Sequence, residues 1–269
     1  MNDLFELWKP ALLGILEGLT EFVPVSSTGH LIVAGHFLDY GSSDFEILIQ
    51  LGAMLALTWC TKDRILALSG NLGLHPEGRP FIAKILVAFL PAALIGFLFH
   101  DLIEAYLFRP TFVAAMLVVG GGAILFIDRP GERGGLEDLE KLGFGQALAI
   151  GFGQCLALLP GVSRSGATIM TGLVAGLSRQ ASTEFSFFLA LPTMYAACLY
   201  TLFKARDHIV DELGLGMLVG LVAAYVSSVV VIRSFLRFVQ TNSLRVFGWY
   251  RIVFGIFLLG FFVLTRQMG

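Results

Sequence analysis

The chain has 269 residues, of which 56% are hydrophobic and only 14% charged, with a mean hydropathy of +0.80. Such values lie outside the range of soluble domains, and a chain this long suits a polytopic bundle rather than a single anchor. A formal net charge of −2 excludes the basic footprint of a nucleic-acid binder.

In chain order, the first apolar stretch (11–38) is broken by Pro24 and by Ser26-Ser27-Thr28-Gly29. Segments 45–60, 80–99 and 111–127 then read as membrane-spanning helices. A polar linker at 128–142 reads as a solvated connection with no further role. The next apolar stretch (143–178) is broken by Pro160-Gly161 and Ser163-Arg164-Ser165-Gly166, and segments 184–203, 213–235 and 247–265 read as three more spans. A broken apolar stretch carrying polar groups suits a re-entrant pair of half-helices, because irregular backbone survives at membrane depth only against protein or water. The expected fold is one integral membrane domain over 1–269, an all-α polytopic protein of six transmembrane helices plus two re-entrant helix–loop–helix elements. Cys60, Cys155 and Cys198 lack metal spacing and read as buried free thiols. Asp3 and Glu6 near the start do not fit a cleavable signal peptide.

The two breaks resemble each other. Glu17 and Ser26-Ser27-Thr28-Gly29 align with Gln154 and Ser163-Arg164-Ser165-Gly166 at one fixed offset. Downstream, the run from Phe45 to Met54 aligns with that from Phe185 to Met194. Residues 8–127 and 143–266 each then hold one re-entrant element and three spans. An odd number of spans inverts the second copy and puts a site at the repeat interface, near the midplane. For sidedness, Lys9, Arg109, Lys204, Arg206 and Arg266 fall on the face of the N-terminus. Lys62, Arg64, Arg79, Lys84, Arg129, Arg133, Lys141, Arg179, Arg233, Arg237, Arg245 and Arg251 fall on the other. Twelve against five makes the second face cytoplasmic, so both termini and the first break open to the outside. Arg164 is left over and belongs inside the protein.

The densest chemistry lies in the first break. Ionisable groups at membrane depth cost about 2.5–3.5 kcal/mol each on insertion scales, which makes such a cluster a functional-site hypothesis. Glu17 and Glu21, four apart, share a helix face and repel. A divalent cation held between them relieves that repulsion and offsets an anionic ligand. Small hydroxyl residues and a glycine (Gly29, Gly166) precede an apolar run in each break, the pattern of a helix N-terminus open to an anion. Arg164 adds a bidentate charge that suits phosphate. Ser27, with His30 on the same turn, reads as a nucleophile and its general base; Ser26 and a water activated by His30 stay open as alternatives. Glu21 either orients the imidazole or helps hold the metal. The blander readings are a structural hydrogen-bonding role for a lone glutamate and a simple cap for Ser-Ser-Thr. His36, His75, His100 and His208 read as interfacial or loop residues, and Glu46 and Glu184 as helix-start carboxylates.

Glu17-Gly-Leu-Thr-Glu-Phe-Val-Pro-Val-Ser-Ser-Thr-Gly-His30, together with Leu159-Pro-Gly-Val-Ser-Arg-Ser-Gly-Ala-Thr168, resembles the undecaprenyl-pyrophosphate phosphatase family, the bacitracin-resistance proteins. The similarity covers essentially the whole chain. It implies a catalytic set of Glu17, Glu21, Ser27, His30 and Arg164, with Ser26, Thr28, Gln154, Ser163, Ser165 and Thr168 lining the phosphate cavity. It further implies a dimeric enzyme of the bacterial inner membrane, dependent on magnesium or calcium. Such an enzyme removes the terminal phosphate of undecaprenyl pyrophosphate, so that the lipid carrier returns to peptidoglycan synthesis. The rival from another class is a lipid-phosphate flippase or secondary transporter using the same inverted-repeat cavity, which does not require Ser27, His30 and paired carboxylates.

Overall fold

The structure, a computed structural model, describes residues 6–69, 78–107, 109–129, 134–204, 206 and 214–264. His75, His208, Arg133 and Arg266, and the side chains of Arg79 and His100, lie outside the described residues. Within them the fold is entirely helical apart from one isolated bridge between Leu136 and Leu177. Ten α-helices follow one another among the described residues: α1 (Trp8–Thr20), α2 (Ser27–Leu38), α3 (Ser43–Ser69), α4 (Gly78–Leu107), α5 (Pro110–Ile127), α6 (Phe144–Cys155), α7 (Arg164–Val174), α8 (Arg179–Lys204), α9 (Leu215–Thr241) and α10 (Arg245–Leu264). Helices satisfy their own backbone hydrogen bonds, the condition for crossing a bilayer.

Both broken stretches separate into two short helices, α1 with α2 and α6 with α7. Of the described helices, five are long and apolar enough to cross a membrane: Pro80–Phe99, Pro110–Ile127, Arg179–Lys204, Leu215–Thr241 and Arg245–Phe262. The expected span at 45–60 falls in α3, which is not among these five; α3 buries Ala53, Met54, Ala56 and Leu57 and leaves Leu55, Trp59 and Leu66 exposed.

The packing is reciprocal. The leading short helix α1 lies against α9, and its counterpart α6 lies against α4, while α5 pairs with α10 and α3 with α8. Glycine permits a close approach in both of the first two pairs. A Cβ at Gly14 would stand 2.1 Å from the carbonyl oxygen of Gly220, and one at Gly151 would stand 2.4 Å from that of Ala88. No side chain fits in either gap.

Two expectations need correcting. The linker at 128–142 is not simply solvated. Asp128 is buried, accepting from Arg179 Nε at 2.6 Å, from the Ser243 hydroxyl at 2.8 Å and from the Leu244 amide. Leu139 and Leu142 are buried against Phe81 and Phe185, because their apolar side chains gain more in the core than in water. Arg251, assigned above to the cytoplasmic face, lies 1% exposed inside the protein. The charge count therefore becomes eleven against five, with the direction unchanged. The three cysteines are free as expected, although only Cys198 is fully buried.

Candidate active site

The two breaks meet. α1 ends at Thr20, Glu21 closes its last turn, and the chain reaches α2 through Ser26, whose φ of 70° is rare for a residue with a Cβ. Ser163 takes the same role before α7, with a φ of 74°. These strained serines turn the chain sharply enough that Ser27 and Arg164, the first residues of α2 and α7, converge on one carboxylate. Ser27 Oγ donates to Glu21 Oε2 at 2.6 Å, and Arg164 Nη2 donates to Glu21 Oε1 at 3.1 Å. Ser165 Oγ, 3.0 Å from the Val23 carbonyl oxygen and 3.2 Å from that of Glu21, ties the second break to the first.

Glu17, Glu21, Ser26, Ser27 and His30 are all buried. Two polar atoms in this region have no hydrogen-bond partner: Glu17 Oε1, an acceptor, and Arg164 Nε, a donor. Buried polar groups are otherwise nearly always paired, which makes these two atoms the candidates for contact with a ligand. Among the described residues no three acidic, histidine or cysteine side chains gather to hold a metal by themselves.

The other expected residues divide. Ser163 Oγ caps α7 by accepting from the Gly166 amide and meets Ser165 Oγ at 3.0 Å. Thr168 Oγ1 is 2.6 Å from Ser186 Oγ, and the Gln154 amide meets Thr193 Oγ1 at 3.2 Å, so both are committed to α8. Gly29 serves packing, since a Cβ there would meet Leu117 Cδ1 at 3.2 Å. At Gly166 the same atom would stand 3.2 Å from Arg251 Nη1. Thr28 is half-buried at the first turn of α2. α2 has no side-chain cap, unlike α7. A separate cavity lined by His36, Asp39, Tyr40 and Glu46 runs along α2 and includes none of the site residues.

Ser27 and His30 are on one turn, but their hydrogen bonds diverge. Ser27 turns to Glu21, while His30 Nδ1 lies 2.8 Å from the Ser26 carbonyl oxygen and Nε2 lies 2.6 Å from Tyr250 Oη. Tyr250 and Arg251 are the residues that motif reading missed. Arg251 donates to the carbonyl oxygens of Pro24 in the first break, Gly161 and Val162 in the second, and Met116 and Leu117 on α5. A charged residue inside the apolar span 247–265 was the available signal for Arg251; Tyr250 carried none.

Residues 10–257 match the family model described as bacitracin resistance protein BacA. The chain is 47% identical over 261 residues to a protein of Nitrosomonas europaea named undecaprenyl-diphosphatase, covering 96% of this chain and 95% of that one. It is 45% identical to undecaprenyl-diphosphatase 3 of Acinetobacter baylyi, covering 94% and 97% of the two chains. With the Nitrosomonas eutropha undecaprenyl-diphosphatase it shares 47% identity over 99% and 97%. With both broken helices, the paired carboxylates and the serine–arginine convergence in place along the matched length, this chain belongs to the bacitracin-resistance (BacA) family.

Proposed function

We propose that the chain hydrolyses undecaprenyl diphosphate to undecaprenyl phosphate and inorganic phosphate, the substrate and reaction in its relatives' names. The observation that carries this reading onto particular residues is the pair of open contacts, Glu17 Oε1 and Arg164 Nε, beside the Ser27–Glu21 hydrogen bond. An anionic phosphate oxygen suits the Arg164 donor. Ser27 Oγ is the nucleophile. As it attacks the terminal phosphorus, its proton passes to Glu21 Oε2, the Oγ–P bond forms, and the P–O bond to the lipid phosphate breaks. Water then cleaves the phosphoserine, with His30 as the base that takes the water proton. Direct attack by a His30-activated water is the alternative. Chasing turnover with lipid labelled at its terminal phosphate distinguishes the two, since only the first route leaves label on Ser27.

Of the two carboxylates, Glu17 has the free buried oxygen that would hold a divalent cation, magnesium or calcium, whereas both Glu21 oxygens already serve Ser27 and Arg164. Further ligands would come from substrate phosphate and water, the usual habit of magnesium. Such an ion supplies charge neutralisation for the diphosphate. Glu17, Glu21, Arg164 and Arg251 cancel formally, so the incoming diphosphate brings net negative charge that needs offsetting.

The proposal includes an inverted-topology repeat of 8–127 and 143–266, supported by the reciprocal packing of α1 on α9 and α6 on α4. It places the enzyme in the bacterial inner membrane, with the site and both termini facing the periplasm. The support is the eleven basic residues against five. A homodimer rests on the family resemblance alone. The flippase reading has no observation of its own in its favour. Phosphate release from the diphosphate lipid by purified protein, with and without chelator, tests the whole reading.

A further inference from the structure

His30 is held on three sides. The Ser26 carbonyl oxygen beside Nδ1 can only accept, so Nδ1 carries the ring proton. In the neutral imidazole the lone pair is then on Nε2, and the Tyr250 hydroxyl 2.6 Å away donates to it. Phe254, one turn further along α10, stacks on the His30 face with centroids 4.6 Å apart and planes 20° apart. The Tyr250 ring lies nearly parallel to the imidazole, at 2°. Ser27 is served separately, by Glu21. Tyr250 itself is 44% exposed on the outer face of α10 beside the exposed Trp249 and Val253, so its ring adds little to the core while its hydroxyl reaches inward.

We propose that Tyr250 is a positioning residue for His30: with the tautomer set by the Ser26 carbonyl, its hydroxyl donates to Nε2 and keeps that nitrogen aimed until water takes its place. The proposal rests on the phosphatase reading for its kinetic consequence but not for the contact. A tyrosine that merely filled space would be replaceable by phenylalanine without effect. A tyrosine that orients the base would not.

The test uses the full chain in detergent, with 15N-histidine labelling and the His30 signals assigned by difference from His30→Gln. Wild type should show a protonated Nδ1 and an unprotonated, hydrogen-bonded Nε2. Tyr250→Phe should keep the fold, since only an oxygen is lost, and keep Nδ1 protonated, but its Nε2 signal should lose the shift of an accepted hydrogen bond. Its kcat on the diphosphate lipid should fall about tenfold, roughly the worth of one hydrogen bond, with KM within about twofold because no substrate contact is removed. Tyr250→Leu, which also loses the ring, should show the same change at Nε2. A wild-type His30 protonated on Nε2 overturns the proposal. So does a Tyr250→Phe protein with an unchanged Nε2 signal, or one with a changed Nε2 signal and unchanged kcat. Wild-type protein that releases no phosphate refutes the phosphatase reading instead, and the tautomer spectra then decide the Tyr250 contact alone.

Discussion

Arg251 offers the sharpest stability test. Its guanidinium has five N–H groups, and all find carbonyl oxygens: Nε meets Leu117 at 3.3 Å, Nη1 meets Pro24 at 3.2 Å and Val162 at 2.9 Å, and Nη2 meets Met116 at 3.2 Å and Gly161 at 2.8 Å. One side chain thereby fixes both breaks to α5. The Met116 and Leu117 carbonyls lie inside α5 and keep their intrahelical bonds, whereas those of Pro24, Gly161 and Val162 are paired at the breaks by Arg251. Lysine keeps the charge but has no planar fork, so Arg251→Lys leaves at least one of these three unpaired, at about 1–3 kcal/mol for each buried group. That is a sizeable share of the roughly 5–15 kcal/mol by which domains are stable. Methionine strands all three but also relieves the desolvation of a buried charge, so Arg251→Met should be worse than lysine by less than the donor count suggests. Thermal unfolding of the purified full chain in detergent reads the stability, and phosphate release read below the transition tells whether the surviving fold still aligns Ser27 with Arg164. Gly120→Ala is an independent route to the same end, because its Cβ would stand 2.1 Å from Arg251 Nη2. If Arg251→Lys unfolds within about 0.5 kcal/mol of wild type, the size of an ordinary surface substitution, the staple is not what holds the breaks together.

Ser27→Ala should abolish phosphate release while costing about 1–3 kcal/mol of stability, since the buried Glu21 Oε2 loses its hydrogen-bond donor; near-normal turnover would move the chemistry to Ser26 or to water. Excess chelator should silence turnover, and Glu17→Gln should shift the cation response to higher concentration; full activity in chelator would leave Arg164 as the working counter-charge. For sidedness, the three native cysteines are removed first. A cysteine at the exposed Asp39 should then react in intact cells with a membrane-impermeant thiol reagent, while one at the exposed Gly134 should react only after lysis. The opposite labelling would reverse the topology.

Much of the site could be read from the chain because a membrane makes polar residues expensive. Glu17, Glu21, Ser27 and Arg164 stood out against apolar surroundings, and the structure brings the last three together on one carboxylate. What stayed hidden depends on partners remote in sequence. Tyr250 belongs to an ordinary apolar span, and only its contact with a residue 220 positions away gives it a role. Arg251 lies near the start of a span, where a basic residue normally reaches the aqueous boundary; the cluster of carbonyls at the two breaks draws it inward instead. Leu139 and Leu142 sit among charges in a segment that composition alone assigns to solvent, yet they find a hydrophobic cluster to join.

The likeness of the two breaks matters most where it fails. Ser26 and Ser163 share a backbone conformation, but the aligned side chains differ: Glu17 stands opposite Gln154, Glu21 opposite Leu158, Ser27 opposite Arg164 and His30 opposite Ala167. One element thus has the carboxylates, the hydroxyl and the imidazole, and the other has the guanidinium. Identical elements would have put two arginines or two serines at the meeting point. A pair of arginines would bind phosphate without attacking it, and a pair of serines would face a phosphate with no fixed cation to hold it. The observed arrangement places Ser27 and Arg164 on the two oxygens of the Glu21 carboxylate. On the proposed mechanism, a phosphoryl group gripped by Arg164 meets the hydroxyl whose proton Glu21 is placed to receive. On that reading binding alone is served by the likeness of the two elements, and hydrolysis depends on the four differences between them.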